Sequence, residues 1–174
     1  MKKSIFTLFI CAVLALFSTE LTAQKFRGLD KSPMDVVAFP KKGAKIMKIY
    51  YSRPQLKGRS VATLAPNGKV WRTGANESVS ISFSQDVTFG GKKVKAGEYS
   101  LFTIPGEKEW TIILSSDVDV WGAYSYNKSN DIVRVKAKAS QSENSLEAFS
   151  MTIDKKMNLY LGWDKIRVKV PVKK

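Results

Sequence analysis

Histidine is absent from this 174-residue chain, and cysteine occurs once, as Cys11. Without imidazole there is no Ser-His-Asp triad, no His-bearing zinc site and no histidine general base. A single thiol excludes an intrachain disulfide. Acidic residues are scarce, with 15 Asp and Glu against 29 Lys and Arg, giving a formal charge of +14. The longest apolar run, residues 5–17, has 13 positions, short of the roughly 20 that span a bilayer as a helix. Outside that run no window carries a sustained helical period. The Gly-Lys-Ser/Thr phosphate loop and Gly-x-Gly-x-x-Gly are both missing. Ser125-Tyr126-Asn127-Lys128 matches Ser-x-x-Lys by letter alone, since Lys-Thr-Gly is absent. Asp117-Val118-Asp119 falls far short of a calcium loop. No cofactor and no metal are therefore expected.

What is present begins with a leader. Lys2 and Lys3 precede the apolar run, and Leu21-Thr22-Ala23 offers a small residue for cleavage before Gln24. This is the layout of a secretory signal peptide over residues 1–23. It predicts an exported protein, periplasmic or secreted. Cleavage also removes Cys11, and thiol chemistry with it. The leader carries a net charge of +1, so the remaining 151 residues carry +13. Such a surface favours anionic partners. In a bacterial envelope these are acidic glycans and lipid head groups rather than nucleic acid. The length suits one domain with a real core.

Residues 24–44 are mixed, with Pro33, Pro40 and Gly43, and read as an irregular or edge-hugging arm. Residues 45–174 read as successive strands. Ser78-Val79-Ser80-Ile81-Ser82-Phe83 alternates without a break, the period of a half-buried strand. Residues 86–94 form a hairpin, because Gly90-Gly91 tolerates the positive φ of a tight turn. Thr111-Ile112-Ile113-Leu114 suggests a central strand covered on both faces. Residues 60–65 read as a plain strand. Residues 131–137, 148–153, 157–163 and 165–172 complete the set. In the last, Ile166, Val168, Val170 and Val172 face one way and Lys165, Arg167 and Lys169 the other. Nine or ten short strands predict an all-β, two-sheet β-sandwich, with a small barrel as the alternative.

Three segments concentrate candidate ligand-binding residues. Residues 68–77 place Trp71, Arg72, Asn76 and Glu77 beside glycines and break the period of two. Arg72 offers a forked pair of donors, Asn76 a donor and an acceptor, Glu77 an acceptor and Trp71 a flat wall. The alternative is an Arg72–Glu77 ion pair tying a loop, with Trp71 in the core. Arg53 and Arg59 flank Pro54 and Gly58; they converge on an anion or bond loop carbonyls. Trp121 and Tyr124 line a groove or fill a sandwich end. Glu77, Asp117, Asp119, Asp131 and Asp164 are the carboxylates from which an acid–base pair for glycoside cleavage would be drawn.

Ser32-Pro33-Met34-Asp35, Tyr51-Ser52-Arg53-Pro54, Lys57-Gly58-Arg59, residues 68–77, Val87-Thr88-Phe89, residues 97–105 and Trp121-Gly122-Ala123-Tyr124 together resemble the exported bacterial family known as domain of unknown function 2911. The resemblance covers most of the chain after the leader, and residues 68–77 are its most specific part. It implies an exported β-rich domain. It implies no activity and supplies no catalytic residues.

The expected function is a non-enzymatic envelope domain that binds a small polar or anionic ligand. One rival is a carboxylate-dependent enzyme acting on carbohydrate. Another is a structural or interaction module that docks a larger partner through a sheet edge or through the basic face of Lys165, Arg167 and Lys169.

Overall fold

A computed structural model describes residues 23–174. The expected leader, apart from Ala23, lies outside the described residues. The chain is nearly all-β, with a large curled sheet and a smaller one, consistent with a β-sandwich. The strands are β1 (Met34–Phe39), β2 (Met47–Ser52), β3 (Val79–Phe83), β4 (Val87–Phe89), β5 (Lys92–Val94), β6 (Gly97–Ile104), β7 (Glu109–Ser115), β8 (Asp131–Ile153), β9 (Leu159–Val170) and β10 (Val172–Lys173). A single helical turn, α1 (Val61–Leu64), precedes β3. No helix among the described residues is long and apolar enough to cross a membrane.

The large sheet runs β1-β2-β3-β6-β7-β8-β9, and every neighbouring pair is antiparallel. β8 is 23 residues long and serves two partners: residues 131–138 pair with β7, and the remainder pairs with β9. Register shifts within β8 bend the strand. The sheet curls far enough for the segment after β2 to meet β8. Leu56 N donates to Glu147 O at 3.0 Å and Phe149 N to Pro54 O at 2.9 Å. The small sheet, β10-β4-β5, buries Val87, Phe89, Val94 and Val172. Its hairpin turn needs a glycine at Gly90. There φ is +54°, and a Cβ would lie 2.7 Å from Val135 Cγ2.

Inside the curl, Trp71, Trp110, Phe149 and Trp163 form an aromatic cluster. Trp71 stacks on Trp163 with centroids 5.4 Å apart, and meets Phe149 and Trp110 edge-on at 5.1 and 6.2 Å. Such pairs add about 0.5–1.5 kcal/mol each beyond the area they bury. The outer face is covered as well, over β6 and β7. Phe102 and Ile113 are register partners that point away from the aromatic cluster, yet both are fully buried. Residues 116–130 fold over them, with the Tyr126 ring 5.1 Å from Phe102. This explains the unbroken apolar run of β7, a central strand covered on both faces.

Two expectations are corrected. Residues 60–65 hold α1 rather than a strand. Ser60 Oγ accepts from Thr63 N at 3.1 Å, an N-cap that commits the backbone to a turn. The expected breaks at 138–147 and at 164 are not strand ends. Residues 140–147 are polar because they sit mostly exposed on the β8–β9 ribbon, and Asp164 (φ +47°) is a kink within β9. Met34–Phe39, within the expected arm, is the edge strand β1.

Candidate functional site

The period of two breaks after Trp71 for a structural reason. Trp71 pairs with Thr103 of β6, donating its N–H at 2.7 Å and accepting at 2.9 Å. Pairing resumes at Val79 opposite Leu101. Residues 72–78 are therefore an excursion out of the strand, closed by Val79 N on Arg72 O at 3.4 Å. The excursion is strained. Thr73 is β-branched and fully buried, yet has φ +62°; Asn76 has φ +61°. For a β-branched residue such as Thr73 this conformation costs about 1–2 kcal/mol, while asparagine adopts it more readily. Thr73 is held by its own Oγ1, which lies within hydrogen-bond reach of Trp71 O at 3.3 Å and of Thr103 Oγ1 at 3.2 Å.

A second loop docks onto the first. Ser78 N donates to Val120 O at 2.9 Å, Gly122 N donates to Asn76 O at 3.0 Å, and Glu77 bridges Trp121. Asp119 has φ +55° and Gly122 +71°. A Cβ on Gly122 would meet the Tyr124 ring at 2.8 Å and Arg72 Nη1 at 3.6 Å. The space over the Gly122 Cα is thus occupied by the phenol ring, with the guanidinium beside it. Trp121 and Tyr124 are 57% and 84% exposed. Beyond them the loop is pinned to the sheet. The Tyr126 hydroxyl donates to Asp131 at 2.8 Å and accepts from Arg134 Nη2 at 2.6 Å, and Arg134 Nε closes the triangle on Asp131. Burial, and next the Asp131 carboxylate, pushes the Tyr126 pKa up.

The sequence candidates separate into two groups. Arg72, Asn76, Glu77, Trp121 and Tyr124 lie on two loops joined backbone to backbone, with Glu77 turned to one cleft and Asn76 to the N-terminal arm. Trp71 does not; it is 7% exposed, packed among three aromatic rings, and presents no wall to a ligand. Arg53 donates from Nε to Phe149 O at 3.0 Å and from Nη2 to Ser150 Oγ at 2.7 Å, and pairs with Asp35 at 3.2 Å. Arg59 donates to the carbonyls of Leu56 and Gln55, both at 3.0 Å. Arg53 thus ties its segment to β8 and β1, Arg59 fastens its own loop, and the two do not converge on a shared anion. On the basic strand, Arg167 is likewise spent on the carbonyls of Asp164, Ile166 and Asn144.

Arg72 differs from all of these. Its Nε is buried without a hydrogen-bond partner. The Arg72–Glu77 ion pair does not form; the four ion pairs among the described residues lie elsewhere. Glu77 opens instead onto a cleft of about 350 Å³, lined also by Met34, Tyr50, Ser80, Glu98 and Asp119. Ser80 Oγ donates to Glu98 at 2.7 Å there. Among the described residues no group of three or more carboxylates, cysteines or histidines is placed to hold a metal ion. Tyr50 and Glu98 escaped the sequence analysis. Their one signal was facing outward on strands whose other side is core, which sequence shows only once the register is known. Asn76 also borders the arm. Residues 25–32 lie against it, and Ser32 N–H, then Asn76, hold the Asp30 carboxyl below its ordinary value.

Comparison with curated proteins and with solved structures returned no match. The sequence model of one family, described as a protein of unknown function (DUF2911), matches residues 32–172. That span contains every strand but the last residue of β10, the strained excursion and the loop docked on it; the chain belongs to the DUF2911 family.

Proposed function

We propose that this chain is an exported, non-enzymatic binding domain that holds a small polar or anionic ligand on the face of Arg72, Asn76, Trp121 and Tyr124. The observation that carries this reading is the aromatic pair. Trp121 and Tyr124 stand largely exposed beside an unpaired guanidinium, on a loop fastened by backbone hydrogen bonds to an excursion strained at Thr73. Strain that the surroundings over-determine is characteristic of sites that keep groups preorganised. Exposed rings beside a cation suit a hydroxylated ring carrying negative charge. Export rests on the basic start, the apolar run and Ala23, and an N-terminus at Gln24 in protein recovered from the envelope tests it.

The binding test is the Trp121→Ala, Tyr124→Ala double variant of the purified protein against a panel of acidic and neutral glycans, lipid head groups and peptides. Both rings are exposed, so the fold survives. Binding is expected to fall at least tenfold with an unchanged unfolding midpoint. Unchanged binding across the panel refutes the reading.

A second reading has its own support in the cleft. Glu77, Glu98 and Asp119 share one opening, as a pair of carboxyls for glycoside cleavage requires. It expects hydrolysis of a glycan by the purified protein and its complete loss in Glu77→Gln. Hydrolysis that persists in that variant rejects it.

A further inference from the structure

We infer that Arg72 is the anchor for a carboxylate, taken side-on by Nε and one Nη, and that residues 119–124 are a flap that lifts to admit it. The inference rests on the binding reading above and names the chemistry of its ligand. Arg53, Arg59 and Arg134 each commit Nε to an acceptor within the protein: a carbonyl of Phe149, a carbonyl of Leu56 and the carboxylate of Asp131. Among the described residues, Arg72 is the arginine whose Nε is buried without a partner. A buried charged donor is ordinarily satisfied, and an exception calls for a cause. The nearest acidic neighbour in sequence, Glu77, faces the adjoining cleft instead.

The geometry of guanidinium selects the ligand group. The N–H bonds of Nε and of one Nη run parallel, and two oxygens of a planar anion meet both at once. The surrounding charge selects among anions. Glu77, Glu98 and Asp119 line the neighbouring cleft, so a singly charged carboxylate is repelled less than a phosphate dianion. Trp121 and Tyr124 supply a surface for the ring that carries it. A uronic acid has all three properties: one negative charge, planar oxygens and a hydroxylated ring.

The flap follows from the packing. Gly122 lies against the guanidinium, and the loop is tied to the excursion by two backbone bonds, Ser78 to Val120 and Gly122 to Asn76. Its far end is fixed at Tyr126, Asp131 and Arg134. Movement is therefore confined to the residues between Asp119 and Tyr124, where Asp119 and Gly122 carry positive φ.

The chain has six arginines, few enough to follow each Nε–H group by ¹H–¹⁵N NMR. The full protein is titrated with sodium glucuronate, and in parallel with glucose, sodium phosphate and sodium chloride at matched ionic strength. The Arg72 Nε–H signal is expected to move downfield and saturate with glucuronate alone. Arg72→Lys keeps the charge but not the fork; glucuronate affinity by calorimetry is expected to drop at least tenfold while the melting curve stays folded and cooperative. Three results overturn the inference: no saturable shift with glucuronate, an equal shift with phosphate or chloride, or full affinity in Arg72→Lys. If any of these occurs while Trp121→Ala still abolishes binding of glucose or glucuronate, the carboxylate anchor falls and the binding reading stands. If Trp121→Ala and Arg72→Gln both leave all binding unchanged, the binding reading falls too.

Discussion

Replacing Arg72 by methionine should make this protein more stable. A buried donor left without a partner costs about 1–3 kcal/mol. Methionine keeps an unbranched stem that can lie under Gly122 and has no donor to leave unpaired. Arg72 is only half-buried, so part of its head remains hydrated and the gain belongs at the lower end, about 1–1.5 kcal/mol. For a chain of this size each kcal/mol raises Tm by about 2–4 °C, so the expected rise is about 3–5 °C. In urea, with a slope of about 1–3 kcal/mol/M, the midpoint moves up by about 0.5–1 M at constant slope. Arg53→Met is the internal contrast. That guanidinium bonds Phe149 O, Ser150 Oγ and Asp35, and its loss should lower stability by about 1–3 kcal/mol. A drop in the Arg72→Met midpoint comparable to that of Arg53→Met would show that Arg72 is a structural tie, and would remove the ground for a ligand there.

Trp71→Ala should cost about 3–5 kcal/mol, because it empties the centre of the Trp110–Phe149–Trp163 cluster; a urea midpoint close to that of the parent protein would contradict its place in the core. Tyr126→Phe removes the hydroxyl shared by Asp131 and Arg134 and should cost about 1–2 kcal/mol. Because the Tyr126 pKa is raised in the fold, its contribution is present below pH 10 and lost as pH rises through the folded value. Denaturation curves across that range should show the alkaline decline diminished in Tyr126→Phe. Asp154 is held down to about 2, first by the Asn158 side chain and also by the N–H groups of Asn158 and Lys156 and by Tyr160. Its contribution is present above the usual 3.8 and fades as pH falls toward 2, so Asp154→Asn should flatten acid unfolding in that window.

Where local chemistry dictates structure, the sequence was readable. Gly90-Gly91 announced the β4–β5 turn, and the two residues take φ of +54° and +85° there. The alternation of residues 166–172 foretold that Val168, Val170 and Val172 would be buried. Residues 60–65 misled because α1 is a single turn, too short to show a 3.6-residue period, and only its Ser60 cap distinguishes it. The joined strands β8 and β9 misled because a polar stretch on an exposed ribbon has the composition of a loop. In the site, residues 68–77 and 121–124 each stood out on their own. That they meet depends on backbone bonds from Ser78 and Gly122 across 42 and 46 residues of sequence separation, which no local pattern encodes. The orientation of Trp71 was equally hidden, since it is set by backbone pairing with Thr103, 32 residues away in sequence.

The most direct measurement is the position of glucuronate in crystals of its complex with the protein. The carboxylate should sit on Nε and one Nη of Arg72, with the ring against Trp121 or Tyr124 and residues 119–124 displaced from Arg72. A sugar bound in the Glu77–Glu98–Asp119 cleft with its carboxylate turned away, or bound anywhere else while Gly122 still covers Arg72, would contradict the assignment.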